Sequence, residues 1–150
     1  HGEGKMVFGD GRIYVGEWHY NQMEGYGKLY GKNKSLLYKG YWKKNRPHDE
    51  GKQYNHHRVD LGNVNTSNIY HDFRNLSNYW ESYEGQFKGG LWHGKGLITL
   101  TNGDKFEGEF IDGRVDGFGL FIRGNGQEEI SGKWVDDRNV EKRYNYFEKF

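Results

Sequence analysis

The sequence contains no cysteine, a single proline (Pro47) and no long apolar run. Without cysteine there are no disulfides and no thiolate metal sites, and a reducing, cytoplasmic home is the natural expectation. No stretch has the length of a membrane span or the shape of a signal-peptide core. Aliphatic residues are scarce as well: 33% of the chain is hydrophobic and the mean hydropathy is −1.09. Polarity of that order often means disorder, but 17% of the residues are aromatic and glycine occurs 24 times in 150 residues. Those two abundances point to a folded, thin unit in which rings are buried against glycines.

The rings and glycines recur together. An aromatic residue is followed by Gly after two positions, by a second aromatic after four, and by Gly-x-Gly at eleven and thirteen. Tyr14, Gly16, Trp18, Gly25 and Gly27 make one copy; Tyr83, Gly85, Phe87, Gly94 and Gly96 another; Phe106, Gly108, Phe110, Gly117 and Gly119 a third. Units begin at residues 14, 38, 83, 106 and 130, and Gly2 and Gly4 fit the Gly-x-Gly of a partial unit before them. A fixed period in this range marks stacked repeats, each too small to bury its apolar face alone. The partial unit suggests a piece of a longer array, with an unpaired strand edge that favours self-association through the repeat ends or dependence on upstream repeats.

Within a unit the pattern is that of a hairpin. Tyr83, Gly85 and Phe87 alternate with Glu84, Gln86 and Lys88, so one face is apolar and the other solvated. Gly89-Gly90 suits a tight turn, Gly94, Gly96 and Ile98 alternate on the return, and Asn102-Gly103 turns the chain into the next unit. Glycine inside a strand normally weakens it, so its recurrence at fixed slots needs a packing reason. A ring laid over the dimple supplies one. The expected fold is an all-β, elongated twisted ribbon of antiparallel hairpins with a period of about 23. Tyr14, Tyr38, Tyr83 and Phe106 form one aromatic row, and Trp18, Trp42, Phe87, Phe110 and Trp134 a second.

Tyr14-Val15-Gly16-Glu17-Trp18, Phe106-Glu107-Gly108-Glu109-Phe110 and His93-Gly94-Lys95-Gly96 resemble the MORN (membrane occupation and recognition nexus) repeat family over roughly 1–51 and 83–134. The resemblance implies a twisted β-ribbon with an aromatic groove for partner proteins. Such arrays also occur in phosphoinositide kinases, lysine methyltransferases, membrane-junction proteins and cytoskeletal scaffolds. The expected organisation is one domain over 1–150: a partial unit near 1–13, units at 14–37 and 38–59, then 60–82, 83–105, 106–129, and a terminal unit with a cap at 130–150.

The period breaks twice. Asp49 stands in the first Gly slot of the 38-unit, and from 52 to 82 the signature is gone, although 38 to 83 spans nearly two periods. Two readings stand: a decayed repeat starting near Asp60 and keeping Gly62, or a long loop carrying Asn63, Asn65, Asn68, Asn75 and Asn78. Either one should interrupt the groove. After Trp134, the spacing of Val140, Tyr144 and Phe147, with Asp137 or Asn139 ahead of them, predicts a short capping helix.

Charge is uneven although the net value is +1. Residues 28–58 carry nine Lys and Arg against Asp49 and Glu50, whereas 59–129 carry six basic and eleven acidic residues. Lys39, Lys43, Lys44 and Arg46 are the candidate contact with acidic membrane lipids. The acidic stretch beside them and the lack of a recognisable motif argue against nucleic acid. His48, His56, His57 and His71, with Asp49 or Asp60, match no zinc-site spacing. His1 and His93 precede the glycine of their units as part of the repeat. Glu17, Glu107 and Glu109 alternate outward as solvated positions, and Gly-x-Gly lies in hairpins rather than between a strand and a helix, which removes the phosphate-loop reading. No catalytic site, metal or cofactor is nominated.

The leading expectation is a non-catalytic scaffold that binds a partner peptide or amphipathic helix. The groove residues are Tyr14, Trp18, Tyr38, Trp42, Tyr83, Phe87, Phe106, Phe110 and Trp134, with the rings of Trp18, Phe87, Phe110 and Trp134 partly accessible. The alternatives are a peripheral module on acidic phospholipid and a regulatory segment of a larger enzyme such as a lipid kinase. The cytoplasm, free or at a membrane or the cytoskeleton, is the expected location.

Overall fold

A computed structural model describes residues 2–57, 72–75, 78–124 and 129–144. The strands are β1 (Gly2–Val7), β2 (Ile13–His19), β3 (Gln22–Tyr30), β4 (Leu36–Lys43), β5 (Arg46–Tyr54), β6 (Trp80–Lys88), β7 (Leu91–Leu100), β8 (Lys105–Ile111), β9 (Arg114–Ile122), β10 (Glu129–Val135) and β11 (Arg138–Tyr144). They form one sheet in chain order, every neighbour antiparallel. The all-β repeat reading therefore holds. The only helix among the described residues is a single 3-10 turn, Phe73–Asn75.

Two expectations change. The capping helix is absent where it can be checked: Val140 and Tyr144 lie in β11, which pairs with β10 from Ile130↔Tyr144 to Val135↔Arg138, while Phe147 lies outside the described residues. The helical spacing is overruled because a strand here covers the open edge of β10 with a ladder of backbone hydrogen bonds. The second concerns 52–82. Gly51 pairs directly with Gly85, so β5 and β6 are neighbours in the sheet and share one register. The chain leaves and re-enters the sheet at one point, where buried Asn55 donates from Nδ2 to the Trp80 carbonyl (3.0 Å) and from its backbone N–H to the Glu81 carbonyl (3.0 Å). Asp60 and Gly62, the proposed start of a decayed repeat, lie outside the described residues.

The two glycines of Gly-x-Gly do different work. The first sits in a bulge on the return strand, and the register shifts between Gly16 and Trp18, Gly85 and Phe87, and Gly108 and Phe110 mark it in the units that carry that glycine. Gly25 there has φ +91°, and the 38-unit reaches a similar conformation with Asp49 at +61°. A bulge leaves an N–H without a ladder partner, and the residue after the hairpin glycine supplies the acceptor. Glu17 Oε2 accepts from the Tyr26 N–H (2.6 Å), Gln86 Oε1 from the Lys95 N–H (2.8 Å) and Glu109 Oε2 from the Phe118 N–H (2.9 Å). Glu17 and Glu109 are exposed as expected but are more than solvated positions; they close the bulge. The 38-unit has Tyr41 in that slot instead of an acceptor of this kind, and it is also the unit that lacks the bulge glycine.

The second glycine lies under a ring. A Cβ at Gly27, Gly51, Gly96 or Gly119 would overlap Tyr14, Tyr38, Tyr83 or Phe106 respectively. Each tyrosine also donates its hydroxyl to the carbonyl three residues on: Tyr14 to Glu17, Tyr38 to Tyr41 and Tyr83 to Gln86, at 2.7–2.8 Å. Burial, with Glu17 and Glu3 nearby, pushes the Tyr14 hydroxyl up to about 12, and burial raises Tyr38 and Tyr83 further. The first aromatic of each unit meets the second aromatic of the next edge-on: Tyr14 with Trp42 (5.1 Å), Tyr38 with Phe87 (5.3 Å), Tyr83 with Phe110 (5.2 Å) and Phe106 with Trp134 (4.9 Å). The two rows thus interlock into one ladder that carries cohesion from unit to unit.

Candidate functional site

The ladder is core. Tyr14, Tyr38, Trp42, Tyr83, Phe87, Phe106, Phe110 and Trp134 are at most 5% exposed, and of the nominated groove residues Trp18 alone is half-buried. The expectation that Phe87, Phe110 and Trp134 are partly accessible is corrected. Phe87 and Phe110 each stand between the ring of their own unit and the ring of the unit before, and Trp134 is held by Phe106 and Phe73. Trp18 meets Tyr14 (5.2 Å), and its ring lies over Gly4 of the neighbouring strand.

What stands open is a neighbouring strip on the same face. A groove of about 620 Å³ runs over the first units, with Trp18 and Trp42 on its floor beside Met6, Phe8, Met23 and Pro47. Met23, Pro47, Trp92 and Val115 occupy the ninth position after the unit starts at 14, 38, 83 and 106, a recurrent apolar slot that the sequence displays but the aromatic-glycine motif obscures.

Hairpin turns fasten each unit to the one before at this slot. Lys44-Asn45 and Asp136-Asp137 are two-residue turns with both φ positive. Asn45 donates its N–H to the Met23 carbonyl (3.1 Å) and accepts from the Met23 N–H at Oδ1 (2.8 Å). Asp137 makes the same reciprocal pair with Val115, at 2.8 and 2.7 Å. Burial pushes the Asp137 carboxyl above its ordinary range.

Over the later units the face is closed by the chain itself. Phe73, 4% exposed, lays its ring against Phe106 (4.8 Å) and Trp134 (6.1 Å). Its N–H donates to the Asp137 carbonyl (2.8 Å), and the backbone of Asp72 pairs with that of Arg138 in an isolated antiparallel β-bridge. Arg74 pairs with Asp72 (Nε–Oδ1 2.9 Å) and holds that carboxyl down at about 2. No periodicity announced Phe73; it was legible only as an aromatic between two breaks.

The basic residues separate. Lys43, Lys44 and Arg46 are exposed around the β4–β5 turn. Lys39 lies four residues earlier, about 13 Å along the strand, on the outer face in a row with its cross-strand partners Lys28 and Lys52. Lys52 also pairs with Glu84 (3.8 Å). His48 Nδ1 accepts from the Gly89 N–H (3.4 Å) and His93 Nδ1 from the Asp112 N–H (3.5 Å), which gives both a stacking role between units. His56 and His57 lie ring to ring at 3.9 Å; His71 is outside the described residues. Among the described residues no group of three or more His, Cys, Asp or Glu is placed to hold a metal ion, and no helix is long and apolar enough to cross a membrane.

The MORN repeat family profile matches residues 1–11, 14–35, 38–54, 83–105 and 106–128. It stops before β10 and β11, although these continue the same hairpin geometry. The chain is also similar to Alsin from Rattus norvegicus, 26% identical over 146 residues, and to Alsin from Homo sapiens at 25%. Those matches cover 91% of this chain and 8% of the relatives, so the chain spans a small part of the proteins it matches.

Proposed function

This chain is a member of the MORN repeat family, and on that premise we propose that it is a non-catalytic interaction module whose open groove receives a segment of a partner protein. The observation that carries the reading is the contrast within one face. Its later half is closed by Phe73, while its first half offers an apolar groove floored by Trp18 and Trp42. Concave, mostly apolar clefts with a few polar edges are the usual form of a binding site, and tryptophan is the side chain most often found at the energetic centre of one. The buried rings hold the floor rigid, so little ordering cost falls on binding.

Peptides selected from a random displayed library on the folded chain test this. Trp18→Ala and Met6→Glu, both at the groove and outside the buried ladder, should weaken such peptides about tenfold or more. Thermal melts of the same variants separate lost affinity from lost fold. Peptides held equally by parent and variants, or a selection without binders, would remove the groove from consideration.

A second reading rests on the basic residues. Lys28, Lys39 and Lys52 stand directly opposite one another on adjacent strands, an arrangement that costs stability unless an anion faces it. An acidic phospholipid surface would be that anion. Replacing Lys39, Lys43, Lys44 and Arg46 with Glu is expected to abolish retention on phosphatidylserine vesicles, and added salt should weaken the parent. Equal retention on neutral vesicles rules the membrane contact out.

A further inference from the structure

We propose that two copies of this chain pair through the outer face of the sheet, opposite the ring ladder, about a two-fold axis that runs along the strands between β5 and β6. The register sets one row of side chains straight across that face. Lys28, Lys39 and Lys52 stand opposite one another on β3, β4 and β5, and Glu84, Leu97 and Glu107 continue the row on β6, β7 and β8. One half of the row is basic, and the other is acidic and apolar. Val15 on β2 and Leu120 on β9 flank the six. The acidic half is also hollow: about 730 Å³ of open space lies over Leu97, Phe118 and Leu120, bordered by Glu84 and Glu107.

A two-fold at the β5–β6 boundary turns this row end for end. Lys52 then faces the partner's Glu84, Lys39 the partner's Leu97, Lys28 the partner's Glu107 and Val15 the partner's Leu120. In the next row along the strands, the exposed pair Tyr26 and Tyr41 falls on the partner's Glu109 and the partner's Lys95, which are themselves cross-strand neighbours. Across β2–β9 no charge in either row meets its own sign. An axis on β5 would set Lys52 against the partner's Lys52, and one on β6 would do the same with Glu84, so charge fixes the register. Lys52 already pairs with Glu84 in its own chain at 3.8 Å, so four alternating charges gather at the axis. Lysines aligned on adjacent strands repel one another in the lone chain. The partner's acids supply the counter-charge, and the lysine stems lie over the apolar floor. Rotation about the strand direction carries a twisted sheet onto one of the same twist, so the two faces stay parallel away from the axis, as in an aligned sandwich. At the usual strand spacing and rise, β2–β9 present a face of about 900 Å². A specific interface takes about 800 Å² per partner. The groove over Trp18 lies on the other face and stays free for its own ligand.

Sedimentation equilibrium of the whole chain tests the pairing. The parent should show a monomer–dimer equilibrium that weakens with added salt. Lys28→Glu and Glu107→Lys change exposed side chains that have no acid and no base, respectively, directly across the neighbouring strands. Each should weaken the dimer at least tenfold while melting as the parent does, because each sets like charges face to face twice. Mixed in equal amounts, the two variants should recover the dimer, since each offers the charge the other lacks. A parent that stays monomeric at every soluble concentration overturns the proposal. A dimer indifferent to both reversals, or variants that do not recover it on mixing, also overturns it and puts the contact elsewhere, the β1 edge included. A monomeric parent whose retention on phosphatidylserine vesicles is lost on Lys28→Glu overturns it and assigns the lysine row to a membrane.

Discussion

Changing Phe110 to alanine is expected to cost about 3–5 kcal/mol of folding stability, the range for removing a large buried ring. The ring is 1% exposed and touches Tyr83 (5.2 Å), Trp92 (5.9 Å) and Phe106 (6.1 Å), so it bridges the 83-unit and the 106-unit. Its loss leaves a cavity walled by rings that are themselves pinned over glycines, and such a wall cannot collapse to fill it. In a repeat array the interface between neighbours carries much of the cohesion, so the damage should appear as weakened coupling along the sheet. Urea unfolding measures it, as a lower midpoint with a smaller slope if the halves begin to unfold separately. Peptide binding at the open groove should be retained by the folded fraction, because Phe110 does not line that groove. A loss below about 1 kcal/mol, typical of surface positions rather than cores, would mean the ring is not core.

Gly96→Ala should be nearly as damaging, at about 1–3 kcal/mol for a single added methyl, the usual penalty for overpacking. The new Cβ would overlap the Tyr83 ring. That ring has nowhere to go: it is fully buried, stacked on Trp92 at 4.6 Å and tied by its hydroxyl to the Gln86 carbonyl at 2.8 Å. Gly9→Ala is the companion measurement, since a Cβ there meets nothing within 4 Å. It should change stability by no more than about 0.5 kcal/mol, as surface substitutions do. The contrast isolates ring-over-glycine packing from the general effect of replacing glycine, which acts on the unfolded chain as well. If the two variants melt together, the glycine slots are explained by backbone freedom and not by the ring above them.

Much of this was written in the period. Tyr83, Gly85 and Phe87 alternating with polar residues fix a strand and its buried face. Gly89-Gly90 fixes the turn, and the unit starts fix which residues stack. These are local or nearest-neighbour properties, and in an array each unit meets only its neighbours, so the pattern of one unit implies the whole sheet. Alternation also marked Tyr14, Trp42 and Phe106 as inward-facing. It could not say how far inward, because exposure depends on what the next unit lays on top. That is why Phe87, Phe110 and Trp134 proved buried where a groove lining was expected. The role of Glu17 and Glu109 was hidden for a similar reason: a carboxylate that closes a bulge on the returning strand has the same outward alternation as one in water.

The terminal strand shows the limit from another side. Val140 and Tyr144 have helical spacing, but an unpaired β10 offers seven residues of backbone hydrogen bonding that a helix docked on its side chains would leave open. The sequence by itself determined the all-β repeat, the unit boundaries, the ring and glycine positions and the uneven charge, because each follows from spacing along the chain. Tertiary structure alone decided that Phe73 returns across the sheet to close the face over Phe106 and Trp134, that a groove lined by Met6, Trp18 and Asn45 remains over the first units, and that the basic residues separate between the β4–β5 turn and the outer face. Those are contacts between segments whose meeting is set by the packing of the whole sheet, and no local pattern encodes them.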